Sequence, residues 1–200
     1  MKILLTGSSG NLGIAVNRFF KTRSNHLILS PNSTALDLKD YSKVFAYIQK
    51  FKPDAIINMA SLTSGITNEE INYQMLYENS IMNLNIINAA YSLKLKKFVN
   101  ISSAIIYSQK QKMPFKEKKW FIGEIESDKE GYGLSKIIAL KLMEYINKNN
   151  SYNYKTIILP NIYGKDENFS KNNLHFISSI IKKLNSDSKT IKIWGNGSQK

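Results

Sequence analysis

Cysteine is absent from this 200-residue sequence, arginine occurs only twice, and no apolar run is long enough to span a bilayer. Without cysteine, a disulfide scaffold, a thiolate metal site and a cysteine nucleophile are excluded, and we predict no metal site. A membrane-spanning helix needs about 20 apolar residues. The N-terminal apolar patch stops at Thr6 and Gly7, so we expect a native start without a signal peptide, in a soluble, cytoplasmic protein.

Positive charge is what the sequence has in excess, with 28 basic against 15 acidic residues and a net charge of +13. Proteins that read nucleic acids favour the bidentate arginine fork, whereas here all but two basic residues are lysines. We therefore expect no nucleic-acid partner. The positive field instead favours a small anionic ligand, such as a dinucleotide or a nucleotide-sugar.

Short apolar runs alternate with longer amphipathic stretches, in a chain of globular composition with 42% hydrophobic residues. Strands are predicted over Lys2–Thr6, Leu27–Ser30, Ala55–Met59, Lys97–Ser102, Thr156–Leu159 and Thr190–Trp194. Helices are predicted over Leu12–Lys21, Tyr41–Phe51, Tyr73–Leu93, Tyr132–Lys148 and Leu174–Leu184, with Asp40 and Asn172 as N-caps. Near-continuous apolar strands separated by helices predict an α/β fold with a doubly wound parallel sheet.

A glycine-rich motif, Thr6-Gly7-Ser8-Ser9-Gly10-Asn11-Leu12-Gly13, follows the first predicted strand and opens the first predicted helix. In this context Gly7 permits a tight turn, Gly10 lets the backbone approach a pyrophosphate, and Gly13 lets helix and strand pack closely. The helix N-terminus adds amide donors. We therefore predict a dinucleotide site at Gly7, Ser9, Gly10, Asn11, Leu12 and Gly13, with a plain strand-to-helix turn as the alternative.

Asp37 and Leu38 follow the second predicted strand, where a carboxylate is placed to accept a hydrogen bond from an adenine amino group. A solvated loop aspartate is an equally good interpretation. No acidic residue ends that strand to bind a ribose 2′-hydroxyl, which removes a usual signal for NAD(H). No arginine stands at Ser9 or Ser30 to bind a 2′-phosphate, so the preference for NADP(H) over NAD(H) rests on the missing acid alone.

Three residues are candidates for acid-base chemistry. Tyr132 and Lys136 are four apart in a predicted helix and share one face. A phenol needs a pKa shift of about three units to act near neutrality, and either Lys136 or an oxidised nicotinamide is a source of that shift. Ser103 follows a predicted strand, where its hydroxyl is placed to bind the reacting oxygen. Alone, Tyr132 and Lys136 at this spacing are more typical of a solvated helix face, and Ser103 is more typical of a strand-end cap or turn.

The sequence resembles the extended short-chain dehydrogenase/reductase family in the order of four features, which are the glycine motif, Ser103, Tyr132 and Lys136. The motifs Pro160-Asn161-Ile162-Tyr163-Gly164, Asp166-Glu167-Asn168-Phe169 and Trp194-Gly195-Asn196-Gly197 are similar to those of its GDP-L-fucose synthase-like nucleotide-sugar reductases and epimerases. The resemblance implies a Rossmann fold over residues 1–164, a partial substrate-binding lobe over 165–200, and a homodimer. It also implies a Ser103, Tyr132 and Lys136 triad, cofactor contacts at Ala60, Pro160 and Ile162, and substrate contacts at Asn161, His175, Lys183 and Trp194.

Two residues depart from that resemblance. Ile105 stands where the fucose synthase-like enzymes have a catalytic cysteine, and Ala104 where the dehydratases have an aspartate. Because neither side chain moves a proton, we do not expect 3,5-epimerisation or dehydration. We expect a C4-ketoreductase of a nucleotide-activated 4-keto sugar, with a 4-epimerase and a non-catalytic dinucleotide-binding module as alternatives. Resembling enzymes continue past Lys200, so we expect much of the substrate lobe to be missing, in a fragment or a natively short protein.

Overall fold

A computed structural model of the protein describes residues 1–64, 68–108, 110–117, 120, 123–149, 151–167, 169, 174, 176–185 and 190. Across these ranges, no helix is both long and apolar enough to cross a lipid bilayer. The predicted strand over Thr190–Trp194 lies outside the described residues apart from its first position, and so does the predicted cap Asn172.

One parallel sheet of five strands forms the centre of the described structure, in the order β2-β1-β3-β4-β5. The strands are β1 (Lys2–Thr6), β2 (Leu27–Leu29), β3 (Ala55–Asn58), β4 (Lys97–Ser103) and β5 (Asn153–Leu159). The strand order reverses between β1 and β3. At such a reversal, open parallel sheets form a crevice at the carboxyl ends of their strands, so the fold itself indicates where a ligand binds.

Five helices connect and flank these strands within the described ranges. They are α1 (Asn11–Arg23), α2 (Tyr41–Phe51), α3 (Glu69–Ser92), α4 (Glu130–Asn147) and α5 (Phe176–Leu184). Helix α3 packs along both α2 and α4. The alternation of helices with parallel strands confirms the predicted α/β fold with a parallel sheet.

The main core lies between the sheet and these helices. Its fully buried side chains include Leu4, Val44, Ile56, Ile86, Ile87, Phe98 and Tyr154. Burying each large apolar side chain contributes about 1.5–3 kcal/mol. The hydroxyl of Tyr154 donates to the carbonyl of Leu95 at 2.9 Å, so this buried phenol keeps a hydrogen-bond partner.

The strand boundaries differ from prediction most clearly at β5. It begins at Asn153, three residues before the predicted Thr156. Tyr154 is buried against Phe98, with ring centroids 5.2 Å apart, although the neighbouring Lys155 interrupts the apolar run. Strand β2 is one residue shorter than predicted and ends before Ser30. Strands β3 and β4 differ by one residue at their ends, within the usual uncertainty of such boundaries.

The helix boundaries differ most clearly at α3, which begins at Glu69 and not at the predicted Tyr73. The side chain of Asn68 accepts a hydrogen bond from the backbone of Ile71 at 2.8 Å and caps the helix. Glu69 and Glu70 then place negative charge in the first turn, where the helix dipole favours it. The other helix ends shift by one or two residues, and the predicted Asp40 cap of α2 is confirmed.

Candidate functional site

The glycine motif forms a tight loop between β1 and α1, as predicted. Gly7 has a φ of 70°, and a Cβ added there would lie 2.5 Å from the backbone nitrogen of Ala60. A Cβ on Gly13 would lie 2.1 Å from the carbonyl oxygen of Gly7. These two glycines are therefore required by the protein's own packing, and the first brings the loop against the chain that follows β3.

Gly10 is different, because nothing in the fold crowds it. Its φ of −78° suits any residue, and an added Cβ would meet only the Gly7 carbonyl oxygen, at 3.5 Å. Gly10 is the N-cap of α1 and makes no side-chain cap, and the first turn carries no acidic residue. This first turn therefore has no side-chain cap, and open space lies beside Gly10, which fits the approach of an anionic pyrophosphate. Ser9 is exposed and Leu12 is half-buried in the same loop.

The side chain of Asn11 is engaged within the protein. Its Nδ2 donates to Glu167 Oε2 at 3.0 Å, and the buried Ser178 donates to the same oxygen at 3.1 Å. One carboxylate thus joins the first turn of α1 to α5. Only the backbone of Asn11 remains available in the way that the predicted dinucleotide site requires.

The predicted adenine contacts divide into a turn residue and a core residue. Asp37 Oδ1 accepts from the backbone of Lys39 at 2.9 Å, which makes it a turn-forming aspartate in the loop before α2. The side chain of Leu38 is 6% exposed and belongs to the main core. Of the two predicted adenine contacts, the Leu38 side chain is therefore unavailable, and Asp37 remains a prediction.

Tyr132 lies in the first turn of α4, at a close contact between two helices. A Cβ on Gly131 would lie 2.0 Å from the carbonyl oxygen of Asn72 on α3, so glycine is required there. The backbone of Gly131 also donates to Asn72 Oδ1 at 3.3 Å. The glycines flanking Tyr132, which weaken a helix by propensity, thus let α4 dock against its neighbours and fix the position of the phenol.

Lys136 is 3% exposed, and its Nζ donates to the carbonyl of Ile101 on β4 at 3.2 Å. The same nitrogen lies 5.2 Å from the centroid of the Tyr132 ring. Burial lowers the pKa of Lys136 to about 8. The ammonium therefore remains the main form at pH 7, and it connects α4 to β4 two residues before Ser103.

Ser103 ends β4 and caps a short 3₁₀ turn over Ala104–Ile106. Its Oγ accepts from the backbone of Ile105 at 3.4 Å, which leaves the hydroxyl hydrogen free to be donated. The side chain of Ile105 extends toward Gly133, beside Tyr132. An apolar side chain from the turn after β4 thus lies against α4 at the residue next to Tyr132.

The pKa of Tyr132 is raised above its ordinary value of 10, because burial disfavours the phenolate. A hydrogen bond with Ser61, which lies just after β3, acts in the opposite direction and lowers this pKa. The sequence predicts that Lys136 or an oxidised nicotinamide lowers this pKa, but in the protein alone burial has the larger effect and the pKa is raised. Sequence reasoning missed Ser61, since only the tertiary fold brings it to Tyr132.

A buried polar network across the three central strands was also missed. Asn58 on β3 accepts from Thr6 and donates to Asn83 at 3.0 Å and to Asn100 at 2.8 Å. The Nδ2 of Asn100 and the hydroxyl of Ser102 are buried without a hydrogen-bond partner within the described structure. Both belong to β4, near its carboxyl end, so unpaired polar groups lie at the edge where the sheet is expected to bind its ligand.

The remaining predicted contacts lie toward the C-terminus. Pro160, Asn161 and Ile162 are exposed in the loop after β5, and Lys183 lies in the last turn of α5. The predicted substrate contacts His175 and Trp194 lie outside the described residues. No cluster of three or more metal-ligating side chains occurs in the part of the chain that the structure describes.

A glycine loop between β1 and α1, at the point where a parallel sheet reverses its strand order, defines a Rossmann-type dinucleotide-binding fold. The family model described as "NAD dependent epimerase/dehydratase family" matches residues 3–200. The chain belongs to this family.

Two relatives and one solved structure are similar to this chain. The chain is 37% identical over 203 residues to a GDP-L-colitose synthase of Yersinia pseudotuberculosis, covering 98% of this chain and 66% of that protein. It is 33% identical to a GDP-L-fucose synthase of Azorhizobium caulinodans, covering 98% and 64%. A solved structure, the GDP-mannoheptose C4 reductase MlghC of Campylobacter jejuni with NADP bound, superposes with a TM-score of 0.79 at 28% identity, covering 84% of this chain and 53% of that one. The chain thus spans slightly less than two thirds of the length of the two synthases and about half the length of MlghC.

Proposed function

We propose that the protein acts as an NADP(H)-dependent C4-ketoreductase of a nucleotide-activated 4-keto sugar, such as a GDP-linked 6-deoxyhexose or heptose. The observation that carries this proposal is the bond from Lys136 to the Ile101 carbonyl, at 3.2 Å. It joins the helix that carries Tyr132 to the strand that ends at Ser103. A proton donor, a hydroxyl and an ammonium therefore belong to one edge of the sheet, the edge at which the glycine loop lies.

The residues have distinct roles in this reaction. When bound, the reduced nicotinamide supplies the hydride that reaches C4. Ser103 donates its hydroxyl hydrogen to the C4 oxygen and holds it as negative charge develops there. Tyr132 transfers its proton to that oxygen. Lys136 stabilises the resulting phenolate and is placed to bind ribose hydroxyls.

The binding of a dinucleotide follows from the loop geometry. The uncapped first turn of α1 and the open space beside Gly10 would hold the pyrophosphate, with Ala60 on the opposite side of the loop. Pro160 and Ile162 would cover the nicotinamide end. NADP(H) is favoured over NAD(H) because no acidic residue stands directly at the end of β2, and because MlghC, a similar protein, has NADP bound.

The absence of 3,5-epimerisation is part of the proposal. Ile105 lies where a proton-transferring side chain would be needed, and its side chain extends toward Gly133. Asn161, His175, Lys183 and Trp194 are proposed to contact the substrate, in a lobe that begins after residue 164.

The direct test combines NADPH and a GDP-4-keto-6-deoxyhexose with the full chain. We expect one NADPH to be oxidised for each sugar reduced at C4. If the protein instead interconverts the C4 epimers of a GDP-hexose, supplied in place of the keto sugar, with no net oxidation of NADPH, it is a 4-epimerase. Tight NADPH binding with neither sugar binding nor turnover would identify a dinucleotide-binding module and overturn the reductase assignment.

We also propose that two copies associate through α3 and α4. Large side chains are exposed on these helices, among them Tyr73 at 67%, Tyr77 at 54% and Tyr145 at 64%. Tyr73 and Tyr77 stack on each other, with ring centroids 5.9 Å apart. Light scattering on the purified protein measures the mass directly, and a monomer at micromolar concentration would contradict this assembly.

A further inference from the structure

We propose that Glu167 is a positioning residue that couples the first turn of α1 to α5. This inference rests on the proposed function, because the pyrophosphate is proposed to bind at that turn and α5 carries the proposed substrate contact Lys183. Glu167 belongs neither to the predicted triad nor to the predicted cofactor and substrate contacts. Its carboxylate acts through the two elements that it joins.

Glu167 accepts hydrogen bonds from both elements on a single oxygen. The Nδ2 of Asn11 donates to Glu167 Oε2 at 3.0 Å, and the hydroxyl of Ser178 donates to the same atom at 3.1 Å. Hydrogen bonds to an ionised carboxylate are stronger than those between neutral groups. Ser178 is 1% exposed, so loss of this acceptor would leave a buried hydroxyl without the partner that it has here. The arrangement therefore opposes separation of α1 from α5.

Asn11 places this hydrogen bond at the turn where the cofactor is proposed to bind. It is the first residue of α1 and directly follows Gly10, the N-cap beside which open space lies. A pyrophosphate held at this turn would restrict the backbone of Asn11, and with it the side chain that donates to Glu167. Binding that orders one group makes it easier to order the groups bound to it. Cofactor binding and the order of α5 should therefore be linked through Glu167.

The backbone around Glu167 is held in place separately from these two hydrogen bonds. The amide of Glu167 donates to the carbonyl of Gly164 at 3.1 Å, which closes a turn after β5. The preceding residue, Asp166, accepts two hydrogen bonds from Arg18, at 2.8 and 2.6 Å, about two turns further along α1 than Asn11. The segment therefore lies alongside α1, and Glu167 is the residue that connects it to α5.

Helix α5 has little apolar burial to fix its position within the described ranges. Its buried residue there is Ser178, the third of the helix, whereas Phe176, Ile177 and Leu184 are 66%, 44% and 63% exposed. Regions with few buried apolar contacts open locally with a small free energy. The hydrogen bond from Ser178 to Glu167 should therefore have a large share in holding α5, and its loss should be measurable as faster local opening.

The test is hydrogen exchange of the α5 amides, measured by mass spectrometry on the full ligand-free chain. Asn11→Ala changes a residue of α1, yet we expect the α5 amides to exchange about five- to tenfold faster, as for loss of one hydrogen bond. Glu167→Ala should have at least the same effect, whereas Glu167→Gln, whose amide oxygen accepts both hydrogen bonds, should retain slow exchange. Arg18→Ala is the matched control, because it also removes a contact between α1 and the segment after β5 but leaves the hydrogen bonds of Glu167 intact. It should leave α5 exchange unchanged.

Unchanged α5 exchange in Asn11→Ala would overturn the inference, and so would an equal increase in Arg18→Ala. Added NADPH gives a second measurement, since it should slow α5 exchange in the wild type and in Glu167→Gln but not in Glu167→Ala. If NADPH binds and leaves α5 exchange in the wild type unchanged, the coupling is also refuted. If NADPH does not bind at all, the proposed function fails, while the ligand-free comparison of Asn11→Ala with Arg18→Ala still decides the role of Glu167.

Discussion

At the proposed nucleotide end of the site, the loop over Gly7–Gly13, the chain relies on backbone atoms, whereas at the proposed catalytic end, around Tyr132 and Lys136, it relies on buried side chains. Gly7 and Gly13 bring main chain against main chain, and no side chain there is indispensable to the geometry. At the catalytic end, the helix that carries Tyr132 and Lys136 meets a strand that is distant in sequence, and the hydrogen bond from Lys136 to Ile101 joins them. The geometry of the nucleotide end therefore depends on glycines, which have no side chain, and that of the catalytic end depends on the hydrogen bonds that side chains make.

The largest effect on stability is expected where a side chain is added to the glycine loop at the nucleotide end. Gly13→Ala places a Cβ 2.1 Å from the Gly7 carbonyl oxygen, and backbone atoms must move to relieve it. We expect a loss of about 3 kcal/mol or more in the free energy of unfolding. Chemical denaturation followed by circular dichroism measures this loss.

Gly10→Ala is the matched comparison, since its Cβ makes only an ordinary contact at 3.5 Å. It should fold with near wild-type stability and yet bind NADPH more weakly, because the methyl group enters the space proposed for the pyrophosphate. Gly164→Ala, with nothing within 4 Å of its Cβ, should change neither property. Equal stabilities of the Gly13 and Gly10 variants would show that the loop geometry is wrong.

A smaller effect, with a distinct pH dependence, is expected at the catalytic end. Lys136 has a pKa of about 8 in the folded protein, lowered from 10.5 by burial. Between these values the unfolded chain binds more protons than the folded one, so stability rises with pH. Relative to Lys136→Met, the ligand-free wild type should gain about 2 kcal/mol between pH 8 and pH 9.5.

Urea denaturation of both proteins at the two pH values provides the measurement. Below pH 8 the wild type carries the full cost of burying the ammonium, so the difference between the two proteins should be constant there. A difference that stays constant up to pH 9.5 as well would mean that Lys136 is solvated and not buried against β4.

The smallest effect is expected at the ion pair beside the glycine loop. The two terminal guanidinium nitrogens of Arg18 donate to Asp166, at 2.8 and 2.6 Å, but the arginine side chain is 41% exposed. Arg18→Ala and Asp166→Asn should each lower the melting temperature slightly, and the double variant should lower it no further. The pKa of Asp166 is lowered by Arg18, so the contribution should also disappear as acid protonates that carboxylate.

Salt provides the control for this pair. At 1 M salt the screening length falls to about 3 Å, so the stabilities of wild type and variants should converge. Persistence of the full difference at high salt would indicate a packing role for the arginine stem and not an ionic one.

The difference between the two ends also explains what the sequence could predict. The glycine loop and the strand before it are local sequence patterns. The structure confirms that this loop lies at the carboxyl edge of a parallel sheet. The start of α3 was misplaced by four residues because the cap comes from Asn68, outside the apolar pattern. The start of β5 was misplaced because Lys155 interrupts a run in which Tyr154 is nevertheless buried.

The catalytic end was predicted only in part, because its contacts join residues far apart in sequence. Tyr132 and Lys136 are four residues apart, so their shared face is visible in the sequence. The hydrogen bond from Lys136 to Ile101 on β4 joins residues 35 apart, and the hydrogen bond from the Leu62 backbone to Asn79 joins residues 17 apart. The asparagines of the central network look in sequence like solvated residues, and only the sheet register shows that they meet inside the protein.

The most direct test of the central claim, that Tyr132 delivers the proton at the carboxyl edge of the sheet, is the Tyr132→Phe variant assayed with NADPH and a GDP-4-keto sugar. If Tyr132 is the proton donor, turnover should fall by about 100-fold or more, as expected for loss of a general acid. The dissociation constant for NADPH, measured by nicotinamide fluorescence, should remain within about threefold of wild type, since less than 1 kcal/mol of cofactor binding is attributed to the phenol. Turnover close to that of the wild type would contradict the account.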